Sequence, residues 1–274
     1  ENAELRKRLG EPVTPAPAAP NATQNLSLQD KIELFCSLFK GRDDVFARRW
    51  CSKTSGKAGY QPVCQNEWTP LCDKRKYKCA DCPNRLFSPL TYNDYYRHLE
   101  GKDAYGRDVM GIYVLNVDNT CHLLCTDFDD KNCEHGYLDD VLSFVDVCKS
   151  WNVPCSIERS RSGNGAHVWI FFESPVLAVK ARRLGNAILT EAMNREGKIS
   201  FKSYDRFFPN QDTLPEGGLG NLVALPLQGN ARKNGNSVFV NEFFEPYPDQ
   251  WENLLNVRKL SEQALEELLK QNAD

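Results

Sequence analysis

The chain has 274 residues, of which 41% are hydrophobic and 11% aromatic, and its formal net charge is −3. This composition excludes a long disordered chain, and the length allows one large domain or two smaller ones. With no membrane-length apolar run and no signal peptide, we expect a cytoplasmic protein without a membrane partner. The small negative charge gives no general reason to expect nucleic acid, although local basic patches are compatible with it.

Residues 1–26 predict a helical tail that ends at Gly10, followed by a stiff linker of prolines and alanines. Because the chain begins with Glu1, we expect it to be a piece of a longer protein. The folded part is expected to begin near Ser27, which forms a capping pair with Asp30 and opens a helix that ends at Gly41.

Residues 42–90 show little regular pattern but many cysteine, lysine, arginine and proline residues. The CxxC knuckle formed by Cys79 and Cys82, together with Cys64 and Cys72, predicts a tetrahedral structural zinc site in an insert at about residues 60–90. The interval between the first two cysteines is longer than usual, so unrelated buried thiols are the alternative. Four basic residues lie between the second and third cysteines and suit either phosphate contact or a solvated loop: Lys74, Arg75, Lys76 and Lys78.

The chain has 11 cysteines, an odd number, and it is much longer than a typical disulfide-stabilised secreted domain. Both facts favour a reducing, intracellular location over a disulfide scaffold.

Hydrophobic periodicity predicts the remaining elements. In chain order they are a helix at 92–99, strands at 112–115 and 121–128 joined by a turn at 118–119, a helix at 137–151, strands at 155–159 and 166–172, a helix at 178–195, strands at 222–227 and 237–240, and a helix at 261–269. This interspersed order indicates an α+β fold with a mostly antiparallel sheet, in preference to a doubly wound fold.

An acidic pair stands at the end of the strand at 121–128. Side chains alternate along a strand, so Asp127 and Asp129 share one face while Phe128 points into the core. Adjacent carboxylates repel each other unless a cation lies between them, and such pairs hold magnesium or manganese for phosphoryl chemistry. An Asp-rich turn is the structural alternative. As third carboxylate we favour Asp205 over Asp212, which precedes a Pro- and Gly-containing loop where turn aspartates are common.

A polar loop follows the strand at 155–159 and reads Glu158 to His167 as ERSRSGNGAH. Glycines, serines and arginines before a strand suit an anion-binding loop made of backbone N–H groups and guanidinium groups. His167 is then either a phosphate contact or a hydrogen-bonded core histidine. The pattern of a Walker loop is absent from this stretch.

These strings resemble a known family. An Asp-x-Asp pair, a Gly-x-His that opens a strand, and an aspartate after an aromatic residue resemble the three motifs of archaeo-eukaryotic primases and primase-polymerases, especially the domains of TOTE conflict systems and their CRISPR-associated relatives. The resemblance covers about residues 30–255. It is carried by CQNEW at 64–68, KCADCPNR at 78–85, TDFDD at 126–130, ERSRSGNGAHVWIFF at 158–172, SYDRFFPNQD at 203–212, GNLVALPLQ at 220–228 and GNSVFV at 235–240.

The resemblance implies an archaeo-eukaryotic primase core, which is an RRM-like, mostly antiparallel sheet with helices plus a smaller α/β module and a four-cysteine zinc knuckle. The catalytic domain would span 27–258, and a C-terminal helix would occupy 259–274. The implied activity is template-dependent nucleotidyl transfer from NTPs or dNTPs on single-stranded DNA or RNA, by a two-metal mechanism with Mg²⁺ or Mn²⁺ and a structural Zn²⁺. Further domains, such as a helicase, a nuclease or CRISPR adaptation proteins, would be partners.

The resemblance also implies roles for individual residues. Asp127, Asp129 and Asp205 would be the catalytic metal ligands. The nucleotide-binding residues would be Ser160, Arg161, Ser162, Gly163, Asn164, His167, Gln228, Arg232 and Lys233. A metal-dependent nuclease and a non-catalytic zinc module that recruits nucleic acid remain the alternatives.

Overall fold

The computed structural model describes residues 26–130, 136–197 and 201–272. Of the helical tail and linker predicted for residues 1–26, residues 1–25 lie outside these ranges. The elements are α1 (Leu28–Leu38), β1 (Phe46–Cys51), β2 (Ala58–Pro62), α2 (Tyr92–Glu100), β3 (Met110–Tyr113), β4 (Thr120–Asp129), α3 (Tyr137–Ser150), β5 (Ser156–Arg159), β6 (Gly165–Leu177), α4 (Ala178–Glu196), β7 (Tyr204–Phe208), β8 (Leu222–Ala224), α5 (Gly229–Arg232), β9 (Val238–Val240), α6 (Gln250–Leu255) and α7 (Glu262–Asn272).

The strands form two antiparallel sheets. One has five strands in the order β7-β4-β6-β5-β9, and the other has four in the order β2-β1-β3-β8. Every strand pair in both sheets is antiparallel. The predicted class, a mixed α/β fold with antiparallel sheets, is therefore confirmed.

The five-stranded sheet is covered on both faces. On one face, Phe128 of β4 packs against Phe144 of α3 with 5.8 Å between ring centroids. On the other face, Phe39 at the end of α1 packs edge-on against Trp169 and Phe171 of β6 at 5.2 and 5.4 Å. This two-sided burial explains why β4 and β6 are apolar along most of their length.

The turn predicted at residues 118–119 joins strands of two different sheets. The turn before β4 is present, and Asn119 has a φ of 65° as that turn requires. However, β3 and β4 belong to different sheets, so this turn links the two sheets and does not close a hairpin. Turn chemistry specifies only the local reversal of the chain, whereas the partner of each strand is decided by distant residues.

Two strands and one helix end also differ from the prediction. Residues 42–90 contain β1 and β2, and α1 ends at Leu38 instead of Gly41. The burial of β1 runs from buried Phe46 and Ala47 to half-buried Arg48 and Arg49, which gives no regular alternation for the sequence to reveal. By contrast, the Ser27 cap of α1 is confirmed as a full capping box with Asp30.

The last helix joins the same core. Leu265 and Leu269 of α7 belong to the cluster that contains Phe35 of α1 and Leu184 of α4. In the part of the chain that the structure describes, no helix combines the length and apolarity that crossing a bilayer requires.

A buried histidine joins α2 to the four-stranded sheet. The Nδ1 atom of His98 accepts from the Met110 N–H at 3.0 Å, and its Nε2–H donates to the Pro226 carbonyl at 2.9 Å. His98 is fully buried, and this burial lowers its pKa from 6.5 to about 4. The folded protein therefore holds a neutral imidazole here under conditions in which an exposed histidine takes up a proton.

This histidine predicts a loss of stability in mild acid. Below pH 6.5 the unfolded chain binds a proton at His98 and the folded chain does not, so the free energy of unfolding falls until the pH reaches about 4. At pH 5 the loss from this residue is about 2 kcal/mol. Urea unfolding at pH 7.5, 6 and 5 measures it. The same series on His98→Gln is expected to be flatter, and equal slopes in the two proteins would contradict this assignment.

Candidate active site

Three carboxylates converge at one end of the five-stranded sheet. Asp127 and Asp129 lie at the end of β4, and Asp127 pairs with His167 of β6 on one side and Arg206 of β7 on the other. The register against β7 then shifts, so that Asp205 is the extra residue of a β-bulge. One oxygen from each aspartate lies within 4.8 Å of the others, and among the described residues no other group of three or more acidic, histidine or cysteine side chains does so.

The charges around this acidic cluster fit a divalent cation. Carboxylate oxygens are the ligands that Mg²⁺ and Mn²⁺ prefer, and three of them this close repel one another strongly. Arg206 Nε donates to Asp205 Oδ2 at 2.6 Å, and this bond, followed by the charges of the three aspartates, raises the pKa of Arg206. The side chains of Asp127 and Asp205 are 15% and 20% exposed, so a cation can reach the cluster from solvent.

Position 165, beside Asp129, has no room for a side chain. A Cβ atom on Gly165, which pairs with Asp129, would lie 2.4 Å from the Phe128 carbonyl oxygen and 3.1 Å from Asp129 Oδ1. Glycine at this position therefore allows β4 and β6 to pair closely at the point where β4 carries its two carboxylates.

A buried glutamate holds His167, and the sequence assigned it no role. Glu158 is 1% exposed, and its Oε2 accepts from His167 Nδ1–H and from Trp169 Nε1–H, both at 2.9 Å. The other imidazole nitrogen, Nε2, lies 3.4 Å from Asp127 Oδ1. His167 is thus fixed between a buried carboxylate and the acidic cluster.

The two carboxylates determine the protonation of His167. Burial lowers the pKa of the imidazole, but the Glu158 charge and the hydrogen bonds to Asp127 and Glu158 outweigh burial and raise it to about 10. At neutral pH the ring is therefore an imidazolium with both nitrogens donating. The signal that identifies Glu158 is the strand register, because Glu158 and His167 are directly opposite in the hairpin of β5 and β6.

The loop between β5 and β6 is a compact turn that uses several of its own donors. The N–H groups of Ser160, Gly163 and Asn164 donate to the Gly165 carbonyl, the Ser160 carbonyl and Ser162 Oγ, respectively. Gly163 has a φ of 84°, which glycine adopts without strain. Fewer backbone N–H groups are thus available for an anion than the sequence predicted, and side chains must supply more of the contacts.

Arg161 connects this loop to the other sheet. Burial raises the pKa of Tyr60 in β2, and a hydrogen bond with Arg161 together with its charge acts in the opposite direction. The loop that precedes His167 therefore contacts the four-stranded sheet through an arginine.

The family model described as "TOTE conflict system, Archaeo-Eukaryotic Primase domain" matches residues 30–268. The chain belongs to this family. Among solved structures, the chain is similar to the "Polymerase Domain from Mycobacterium tuberculosis Ligase D in complex with DNA", with 9% sequence identity, 94% of this chain and 96% of that chain covered, and a TM-score of 0.39. No curated protein matches the chain.

Two of the predicted nucleotide-binding residues that lie outside the loop between β5 and β6, Gln228 and Arg232, have their side chains engaged elsewhere in the primase domain. Gln228 is 2% exposed, donates from Nε2 to Asp108 Oδ1 at 3.0 Å, and accepts the Ala231 N–H at 2.8 Å. Arg232 donates to the Leu99 carbonyl at 2.7 Å. These contacts hold α5 against the rest of the domain. Lys233, next in the chain, is exposed.

The four predicted zinc ligands of the primase domain line one small cavity of about 30 Å³: Cys64, Cys72, Cys79 and Cys82. All four are free thiols and half-buried. Burial raises the pKa of Cys79, Lys74 lowers it, and the neighbouring Cys72 and Cys64 raise it further. Within the described ranges, no three of the four sulfur atoms approach as closely as the three carboxylates do. The structure gathers the cysteines, and zinc binding stays a prediction.

Proposed function

We propose that this primase domain is a template-dependent nucleotidyltransferase that makes or extends primers from nucleoside triphosphates. The observation that carries the proposal is the convergence of Asp127, Asp129 and Asp205 beside an imidazolium held by a buried glutamate. Membership of the archaeo-eukaryotic primase family supports the same chemistry. The five-stranded sheet would be the catalytic part of the primase core, within a domain at residues 27–258.

In this proposal the three aspartates bind two Mg²⁺ or Mn²⁺ ions. When bound, these ions lower the pKa of the attacking 3′-hydroxyl and neutralise charge on the departing pyrophosphate. The three aspartates fit such ions, because Mg²⁺ and Mn²⁺ bind oxygen ligands and the aspartates bring three carboxylate oxygens within 4.8 Å of one another. Arg206 is well placed to hold Asp205 in its orientation through the 2.6 Å hydrogen bond.

His167 has the position and charge of a triphosphate contact. Its Nδ1–H is committed to Glu158, and its Nε2–H points to the side of Asp127, where a nucleotide bound at the cluster would present its phosphates. A charged imidazolium donates a stronger hydrogen bond to a phosphate oxygen than a neutral ring does. Arg161, Ser162 and Asn164 of the preceding loop would add side-chain contacts to the same phosphates.

The direct experiment is nucleotide incorporation on a single-stranded DNA or RNA template, with and without a primer, with NTPs or dNTPs and with Mg²⁺ or Mn²⁺. The proposal expects metal-dependent lengthening of labelled strands. Metal-dependent shortening would instead establish a nuclease. Tight template binding without any turnover would establish a non-catalytic module. The same assay with helicase, nuclease or CRISPR adaptation proteins added tests the proposed partners.

We also propose that the four cysteines bind a structural zinc ion. They would bind it as thiolates. Because the segment from Cys64 to Cys82 lacks a hydrophobic core of its own, the ion would hold this segment together. The Leu86 N–H donates to Cys64 Sγ at 3.4 Å, a contact that suits a thiolate ligand.

Replacing Cys79 tests this zinc site. In Cys79→Ala the zinc content is expected to fall from about one ion per chain to near zero, and the midpoint of thermal unfolding is expected to fall, because structural zinc contributes directly to folding. Elemental analysis and calorimetry measure the two effects. Cys51→Ala is the matched control, since Cys51 is also half-buried but lies outside the cavity. A wild-type protein that contains no zinc would refute the site.

A further inference from the structure

Positive charge is concentrated in one part of the chain. Residues 40–90 hold 11 lysine and arginine residues against 5 aspartate and glutamate residues, a net charge of +6. The rest of the chain holds 23 against 32, a net charge of −9. The basic segment comprises β1, β2 and the cysteine-containing loop, which we call the basic module. Such a local field attracts polyanions even though the whole protein is acidic.

The most exposed aromatic side chain of the basic module is Trp68. Its side chain is 85% exposed, and it belongs to neither hydrophobic cluster of the described residues. Its φ is 69°, a conformation that bulky residues rarely adopt. Two backbone hydrogen bonds, Glu67 N–H to the Cys64 carbonyl and Thr69 N–H to the Asn66 carbonyl, form the turn that holds it. The chain thus accepts backbone strain to present an indole to solvent, which points to a binding role.

A fixed cation lies beside this indole. The Nζ atom of Lys74 is 4.7 Å from the Trp68 ring centroid. The same ammonium donates to Glu67 Oε1 at 2.8 Å and to Gln61 Oε1 at 3.1 Å, so its position is set by two partners. Because the ring is still 85% exposed, most of its surface remains open to a ligand.

An open aromatic ring next to a positioned ammonium matches the chemistry of a single-stranded nucleic acid. A base stacks on the ring, and the adjacent phosphate meets the cation. A protein partner could also cover an exposed tryptophan, but the charge favours the polyanion. The exposed residues of this loop between 71 and 85 include five basic side chains and two acidic ones, namely Lys74, Arg75, Lys76, Lys78, Arg85, Asp73 and Asp81.

We propose that Trp68 and Lys74 form a base-stacking site for single-stranded nucleic acid on the basic module. The bound strand would be the template, and this identification alone rests on the proposed function. Binding itself requires neither the acidic cluster nor its metal ions.

The test is the affinity of the full chain for a fluorescent single-stranded oligothymidine of about 20 nucleotides, measured by anisotropy without nucleotide or divalent metal. Trp68→Ala is expected to raise Kd about tenfold, the effect of losing one base–aromatic stack, whereas Trp68→Phe keeps most of the affinity. Phe243→Ala is the matched control, because Phe243 is 83% exposed and lies outside the basic module. Its Kd is expected to equal that of wild type.

Several outcomes would overturn the proposal. They are a Kd for Trp68→Ala within twofold of wild type, an equal loss in Phe243→Ala, or a loss in Trp68→Phe as large as in Trp68→Ala. Thermal unfolding of each variant verifies that the fold is retained. A wild-type protein that binds the oligonucleotide through Trp68 but incorporates no nucleotide would refute the proposed function and leave this site standing. Nucleotide incorporation by the wild-type protein, together with a Kd that Trp68→Ala leaves unchanged, would support the proposed function and refute this site.

Discussion

Replacing Asp127 by asparagine is expected to lower metal-dependent nucleotide incorporation by at least about 10³-fold, which corresponds to roughly 4 kcal/mol in the activation barrier. Asp127 is central to the acidic cluster, because β4 pairs with both neighbouring strands there and His167 and Arg206 are directly opposite it. An amide keeps the shape of the side chain but loses the negative charge that binds a divalent cation. Initial rates with Mg²⁺ and with Mn²⁺ measure the effect, and calorimetric titration with Mn²⁺ reports metal affinity independently of activity.

The matched control is Asp212→Asn. Asp212 was the rival for the third carboxylate, and it forms an ion pair with Arg182 at the surface instead of joining the cluster. We expect its incorporation rate and its Mn²⁺ affinity to stay within about twofold of wild type, as for most exposed ion pairs. Equal activity in the two variants, or an Asp127→Asn protein that keeps both metal binding and turnover, would contradict the assignment of the cluster.

Strand alternation alone predicted much of this cluster. It placed Asp127 and Asp129 on one face and Phe128 in the core, where Phe128 is fully buried. The periodicity also gave most of the later helices and strands to within a few residues, because amphipathic patterns are local properties of the chain.

Residues whose positions depend on pairing between distant segments could not be derived in this way. Asp205 reaches the cluster through a bulge in β7, which no local pattern reveals. Turn chemistry only favoured it over Asp212, and the family resemblance gave it the same role. The periodicity did not predict how the strands pair into two sheets. Neither the sequence of β1 nor the turn before β4 indicates which strands lie beside one another. Gln228 looked available for a ligand because a polar residue after a strand carries no local sign that its amide is bonded to Asp108.

Among the residues that strand pairing brings to the site, Glu158 is expected to have the largest effect on nucleotide binding. Replacing it by glutamine is expected to raise the KM for the incoming nucleotide by about 10- to 100-fold, the equivalent of the 1.5–3 kcal/mol that hydrogen bonds to charged groups contribute. Glutamine has nearly the same shape, and its amide oxygen can still accept hydrogen bonds, but it removes the negative charge that favours the imidazolium form of His167. Because a phosphate contact acts in the bound ground state as well as in the transition state, kcat should change less than KM.

A double-mutant cycle separates positioning of His167 from general support of the fold. If Glu158 acts through His167, adding Glu158→Gln to His167→Ala should change KM little beyond His167→Ala alone. Asp108→Asn is the matched control, because Asp108 is another buried carboxylate, 3% exposed, that bonds the Gln228 side chain and the Asp103 N–H. It should lower the unfolding midpoint without moving KM. Additive effects on KM in the cycle, or an equal KM increase in Asp108→Asn, would mean that Glu158 does not act by positioning and charging His167. An unchanged KM in His167→Ala would remove the phosphate role of His167 itself.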